Sequence, residues 1–196
     1  LSTDLRIMWT LSTIQHPHTM PETPQSNRVQ RVRHELKRRQ VTVRRVHDLS
    51  PHLRSITFGG DDLADMVSAS FDDHVKFMLD ADGAEPVRRD YTPRHVNTAA
   101  RELTLEFALH GHGPAASWAA QAAPGQQALI GGPRGSFIVP LDWDWHLLVG
   151  DLAALPAIAR RLEELPAGQK VTVIVQADPA DQRALPSAAQ VNVLWV

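Results

Sequence analysis

The stretch Trp145-His-Leu-Leu-Val-Gly150-Asp-Leu-Ala-Ala-Leu155-Pro-Ala-Ile-Ala-Arg160-Arg-Leu-Glu-Glu-Leu165-Pro-Ala-Gly-Gln-Lys170-Val-Thr-Val-Ile-Val175 decides the architecture. His146–Val149 and Val171–Val175 are short apolar runs of the kind found in buried parallel strands. Between them Ala154–Leu165 reads as an amphipathic helix, stopped by Pro166-Ala-Gly168. Strand, helix and strand in this order make a β-α-β unit. A third strand, Val191–Val196, has no helix after it, so the parallel sheet reads as opened and unfinished.

Upstream the pattern changes. Val41–Val46, Arg54–Phe58, His74–Leu79, Arg89–Arg94, Leu103–Leu109 and Gln127–Gly131 alternate or cluster β-branched and aromatic residues between turn signals. Strands at such spacing predict a small barrel. One helix is expected within it at Pro114–Ala123, with Pro at its first position and Pro124-Gly125 as its stop. Met20–Asn27 is Pro-rich and polar and reads as a flexible tail. Met20 stands as the natural start, with Leu1–Thr19 an extension. The expected division is therefore a leader at 1–27, a barrel at 28–142 and a partial α/β unit at 143–196.

The 196 residues carry 20 Lys plus Arg against 22 Asp plus Glu, a net charge of −2, and 43% are hydrophobic. This is a globular composition, neither disordered nor fibrous. The absence of cysteine excludes disulfide frameworks, thiolate nucleophiles and Cys-based zinc sites, and makes the cytoplasm the default compartment. No apolar run approaches the roughly 18 residues of a membrane span, and Leu1–Thr19 lacks the apolar centre of a signal peptide. His16 with His18, and His110 with His112, have no neighbouring carboxylate to complete a metal site. No nucleophile elbow occurs, and Glu163 and Glu164 are expected on a solvated helix face.

Three features invite a functional reading beside a plain one. Arg28–Arg45 holds Arg28, Arg31, Arg33, Lys37, Arg38, Arg39, Arg44 and Arg45 against Glu35 alone, which suits nucleic acid or, more simply, a solvated basic face. Gly111-His-Gly113-Pro-Ala-Ala116 fits G-x-G-x-x-G/A, but no Asp or Glu follows before Leu141, so a Rossmann fingerprint is rejected. What survives is a glycine turn feeding a helix N-terminus, suited to a phosphate or to an ordinary connection. In Arg89-Asp-Tyr91-Thr92, strand alternation puts Arg89 and Tyr91 on one face and Thr92 on the other. That pair can hold a phosphate and stack a ring, or make a surface strand. Gly131-Gly-Pro-Arg134-Gly135 is an anion-presenting loop or a hairpin turn.

Five pieces in order, from about Arg31 to Val196, resemble the siderophore-interacting protein family of flavin-dependent ferric-siderophore reductases. They are Phe71-Asp-Asp-His74-Val-Lys76, Arg89-Asp-Tyr91-Thr92-Pro93, the Gly113-Pro-Ala helix start with Trp118, Gly132-Pro-Arg134-Gly135-Ser136-Phe137, and Leu155-Pro-Ala-Ile158-Ala-Arg160-Arg161-Leu162-Glu163. The resemblance implies a Greek-key, ferredoxin-reductase-like β-barrel binding FAD, followed by an incomplete α/β nicotinamide-binding module. It implies that Arg89 pairs the FAD pyrophosphate, that Asp90 lies beside it, that Tyr91 packs on the isoalloxazine and that Thr92 bonds near N5. His110, Gly113, Pro114, Ala115, Ala116, Ser117 and Trp118 would wrap the phosphates and ribose. Lys76 and Arg134 match two members of a basic triad that attracts an anionic ferric siderophore, and Asp151 and Ala153 fall on the nicotinamide side.

The implied chemistry is hydride transfer from NADPH or NADH to FAD, then single electrons to Fe(III). Nucleic acid, membrane and protein-bound metal are not expected as partners. The chain departs from the family pattern at Ala116, usually Ser or Thr, and at Leu152 and Ala153, usually Glu then Thr or Ser. Family chains also usually continue past the position of Val196 and there supply the last triad residue. The expectations that follow are a weakened nicotinamide half, Trp195 and its neighbours on an uncovered edge, and a partner or oligomer covering that edge. A flavin- or siderophore-binding remnant without reductase activity is the alternative.

Overall fold

The computed structural model describes residues 28–81, 84–109 and 113–196. The leader at 1–27, with His16 and His18, lies outside the described residues, as do His110 and His112. The elements in chain order are β1 (Gln30–Arg33), β2 (Arg38–Ser50), β3 (Leu53–Gly59), β4 (Val75–Ala81), β5 (Ala84–Tyr91), β6 (His95–Asn97), β7 (Glu102–Ala108), α1 (Pro114–Ala120), β8 (Gln127–Gly131), β9 (Gly135–Ile138), β10 (His146–Asp151), α2 (Leu155–Glu164), β11 (Lys170–Gln176) and β12 (Gln190–Trp195).

Seven strands form one antiparallel sheet in the order β5-β4-β8-β2-β3-β7-β6. Its two ends curl together, because the Tyr91 ring of β5 lies 4.3 Å from the Phe107 ring of β7. Period-two alternation drives the closure: Val41 and Val43, Ile56 and Phe58, Val75 and Phe77, Leu103, Leu105 and Phe107 all turn inward and are buried. Phe77 packs 4.8 Å from Trp118 of α1, which also stacks on Phe58, so the helix seals one end of the barrel. Insertion of β8 between β4 and β2 gives the Greek-key crossing.

The structure corrects several expectations. β5 ends at Tyr91 and not at Arg94, because Pro93 has no N–H to give the ladder and restricts the residue before it. β1, β6 and β9 escaped the sequence reading: β1 reads Gln-Arg-Val-Arg with every residue exposed, and it exists only through pairing with β9 a hundred positions away. The basic run is largely solvent-exposed, as the plainer reading expected, but it is not one face. It splits between β1 and β2, Arg39 is buried, and Arg28, Lys37, Arg39 and Arg45 pair with Asp142, Asp65, Asp65 and Glu102.

The β-α-β reading corresponds to a parallel sheet ordered β10-β11-β12, with α2 covering one face through Leu155, Ile158 and Leu162 against Val171, Val173 and Val175. Gly150 is required there, since a Cβ at this position would collide with the Ala154 side chain at the head of α2. β12 ends this sheet, so its outer edge has no strand partner among the described residues, and the face opposite α2 is uncovered as well. Leu147, Val149 and Leu194 project from it, whereas Trp195 turns to the α2 side and packs in the core.

Arginines tie the two units together. Arg160 donates to the Pro93 carbonyl at 2.8 Å and to Ser68, and Arg161 donates to the carbonyls of Val139 and Pro140. Buried Arg94 grips Glu163 through two nitrogens, one at 2.7 Å, and lies 3.4 Å from buried Glu106, which Arg183 also meets at 3.2 Å. Glu163 is exposed and Glu164 half-buried, and both are paired, the first with Arg94 and the second with Arg160.

Acid sensitivity follows from three carboxyls. Hydrogen bonds from Lys37 and Arg39 hold Asp65 at about 2, and the Arg94 hydrogen bond lowers Glu163. At Asp181 burial pushes upward, but hydrogen bonds from Ser50 and His52 outweigh it and the value is lowered. A carboxyl depressed by folding stabilises above its unfolded value, near 4, and that contribution is lost as pH falls through the folded value. The urea midpoint is therefore expected to hold above about pH 5 and to fall steadily toward about pH 2; an unchanged midpoint across that interval contradicts these pairings.

Candidate functional site

Where β5 gives out, its last residues meet the turn before α2. A cleft of about 320 Å³ opens there, lined by His74, Arg89, Asp90, Tyr91, Thr92, Glu106, Ala108, Ala153 and Pro156. Residues more than sixty positions apart in sequence, Arg89–Thr92 and Ala153, thus share one wall. Arg89 and Tyr91 face Phe77 and Val75 across the β4 ladder, which fixes their spacing.

The Arg89 guanidinium is exposed, and among the described residues it bonds only the carbonyl of Arg88, at 2.9 Å. A cation with no carboxylate partner is available to an anionic group. Tyr91 is partly buried against Phe77 and Phe107, and burial pushes its phenol up to about 12, with Arg89 pulling the other way. The hydroxyl therefore stays protonated, and the ring offers a flat apolar surface. A planar aromatic group carrying a phosphate chain fits this pairing of ring, hydroxyl and free cation.

The other expected residues are placed differently. Asp151 does not line the cleft; its Oδ1 accepts from the N–H groups of Ala153 at 2.9 Å and Ala154 at 3.1 Å, holding the turn that presents Ala153. Gly113 caps α1; Pro114 and Ser117 in its first turn are exposed and Ala116 is half-buried, and none of them lines the cleft. The Ala115 side chain is buried, and Trp118 is engaged in the aromatic core. His110 lies outside the described residues.

A second cleft, also of about 320 Å³, lies on the far side of His74. It is lined by Leu36, Arg38, His74, Lys76, Met78, Arg88, Gly131, Gly132 and Arg134. Lys76 and Arg134 thus line one cleft, although Lys76 Nζ is held 2.7 Å from Asp90. Gly132 has φ +92°, a left-handed turn that carries the chain from β8 around to Arg134. Arg38 and Arg88 add two cations that the sequence reading missed. Arg88 was findable, since alternation along β5 sends it to the face opposite Arg89; Arg38 was not, because its place depends on pairing with Gly131.

Two family models match the chain. The siderophore-interacting FAD-binding domain matches residues 42–87 and 80–137, and the siderophore-interacting protein model matches 143–196. The NADPH-dependent ferric-chelate reductase of Escherichia coli is 36% identical over 189 residues, 85% of this chain and 74% of that protein. The chain spans about three-fifths of the length of further relatives in Mycobacterium and Vibrio. A siderophore utilization protein from T. fusca superposes with a TM-score of 0.80 at 34% identity, covering 86% of this chain and 72% of that one. The ferredoxin reductase of carbazole 1,9a-dioxygenase, at 18% identity and a TM-score of 0.60 over 82% of this chain and 50% of its own, shares the fold.

Proposed function

The chain belongs to the siderophore-interacting protein family, and from that premise we propose that it is an FAD-binding oxidoreductase that uses NAD(P)H to reduce ferric siderophores and release Fe(II). The observation that carries the reading is the pair of clefts, one holding Arg89, Tyr91 and Thr92 and the other four cations, back to back across His74. In this reading Arg89 holds the FAD pyrophosphate, Tyr91 bears the flavin ring, Thr92 and Asp90 border it, and the start of α1 from Gly113 to Ser117 lies along the phosphate chain. Bound flavin supplies the conversion of a two-electron donor into single electrons.

The chain's own residues do the rest. Ala153 and Pro156 close the nicotinamide side of the ring, and the Asp151 carboxylate keeps that turn in place. The small side chain at Ala153 leaves room for a planar donor to approach. Arg38, Lys76, Arg88 and Arg134 attract an anionic ferric chelate from a distance and hold it beside the flavin wall. Hard oxygen donors bind Fe(III) far better than Fe(II), so one electron is enough to loosen the metal, and the protein need not ligate it.

The reading assigns the barrel to 28–142 and the nicotinamide unit to 143–196, places the reaction in the cytoplasm where NAD(P)H is supplied, and gives the apolar face of Leu147, Val149 and Leu194 a covering partner or second copy. No described helix is long and apolar enough to cross a membrane.

Charge is the test. Lys76→Ala and Arg134→Ala are each expected to weaken capture of an anionic ferric chelate roughly fivefold, about 1 kcal/mol for a solvent-exposed pair, with FAD content unchanged. Added salt is expected to slow reduction of the anionic chelate in the parent and less so in the double variant. Unchanged kinetics and salt response in the double variant remove this cleft from substrate capture.

A further inference from the structure

His74 is common to both clefts: it borders Arg89, Tyr91 and Thr92 on one side and Lys76, Arg88 and Arg134 on the other. It stands just before β4, where the buried Asp73 side chain accepts from Ser68 at 2.8 Å, Ser70 and Ser136, so its backbone is anchored on the side away from the clefts. The imidazole itself is exposed. His34, His52 and His146 are bonded to Ser136, Asp181 and the Leu141 carbonyl, whereas the His74 ring has no hydrogen bond among the described residues.

The reduction itself creates a need for a proton at this place. When Fe(III) in an oxygen chelate becomes Fe(II), the complex gains a negative charge, and its oxygens, less strongly polarised by the metal, become more basic. A proton delivered then converts one oxygen from ligand to leaving group. The other groups lining the two clefts are poor sources, and Asp72, beside His74 and pushed up by burial, lines neither cleft. Guanidinium protons of Arg38, Arg88 and Arg134 do not leave, the Lys76 ammonium is held by Asp90, Glu106 is engaged by Arg94 and Arg183, and the Tyr91 phenol is pushed up to about 12. Imidazole is the side chain that exchanges protons readily near neutral pH.

We propose that His74 is a catalytic residue that donates a proton to a chelate oxygen as the iron is reduced, coupling electron arrival to metal release. The proposal rests on the ferric-chelate reading of the clefts. In the step, one electron from reduced FAD enters Fe(III) to give Fe(II). The His74 N–H bond breaks, an O–H bond forms on the chelate, and the Fe–O bond at that oxygen breaks with its electron pair kept by oxygen. The neutral imidazole regains its proton from solvent through the open cleft.

The test uses FAD-loaded protein reduced with dithionite, mixed anaerobically with either of two acceptors: iron(III) tris-catecholate, whose release needs protons, or ferricyanide, which takes an electron without one. Expected for His74→Gln are a roughly 100-fold slower reoxidation by the tris-catecholate, unchanged reoxidation by ferricyanide, and loss of the slowing in D₂O that is expected of the parent. Binding of the redox-inert gallium(III) tris-catecholate to flavin-free protein, read by tryptophan fluorescence, is expected to be unchanged. Equal slowing with both acceptors, weakened gallium-complex binding that accounts for the loss, or no slowing at all each overturns the proposal. A parent protein that reduces ferricyanide but never the tris-catecholate overturns the reductase reading itself.

Discussion

Replacing Arg89 by alanine is expected to lower FAD affinity by roughly tenfold to a hundredfold, and to leave the fold intact. The guanidinium makes no ion pair among the described residues and bonds only its neighbour's carbonyl, so its removal costs the apoprotein almost nothing. In the proposed reading it faces the pyrophosphate in the loaded protein, and a hydrogen bond to a charged group contributes about 1.5–3 kcal/mol, which is that range of affinity. Equilibrium titration of flavin fluorescence reads the first half of the expectation, and the urea midpoint the second. Arg89→Lys is expected to recover only part of the loss, because an ammonium cannot reproduce the planar fork. Unchanged affinity in Arg89→Ala removes this residue from the cofactor site.

Arg94→Ala is expected to have the opposite signature, with a large loss of stability and little direct effect on flavin contacts. Arg94 and Glu106 are both buried, and Glu163 and Arg183 complete the network between barrel and α2. Removing one member of a buried pair leaves an uncompensated charge, at a cost of about 3–5 kcal/mol. The double variant Arg94→Met with Glu106→Gln is expected to be less destabilised than Arg94→Ala alone, because it removes the buried charge at Glu106 that Arg183 alone would be left to compensate. Urea unfolding of the three proteins measures this. Additive losses, with the double variant the weakest, show that the two side chains do not interact.

How far the sequence disclosed this molecule depended on the range over which each feature is determined. The alternating strands β2, β3 and β7 and the run from β10 to β11 could be read locally, because burial on one face writes period two or a continuous apolar run into the chain. β1 and β9 could not, since neither carries an apolar stripe and each is defined by the other. Arg89 and Tyr91 were legible as a strand pair, and the family resemblance gave them a role. The shared wall was not legible: His74 and Ala153 meet Arg89 only after β4 pairs with β5 and α2 docks by its arginines. The pairing of Arg94 with Glu163 was not legible for the same reason, since nothing within a few residues of either announces the other.

The central claim is that electrons pass from NAD(P)H through flavin in the Arg89 cleft to a ferric chelate in the neighbouring cationic one. The most direct measurement is an anaerobic absorbance record of the FAD-loaded chain through two additions, first NADPH and then iron(III) tris-catecholate with a ferrous trap present. The account predicts that the bound-flavin absorbance bleaches on the first addition and returns on the second, with trapped Fe(II) appearing in step. An oxidised spectrum that persists through NADPH, or a bleached one that persists through the ferric complex, contradicts it.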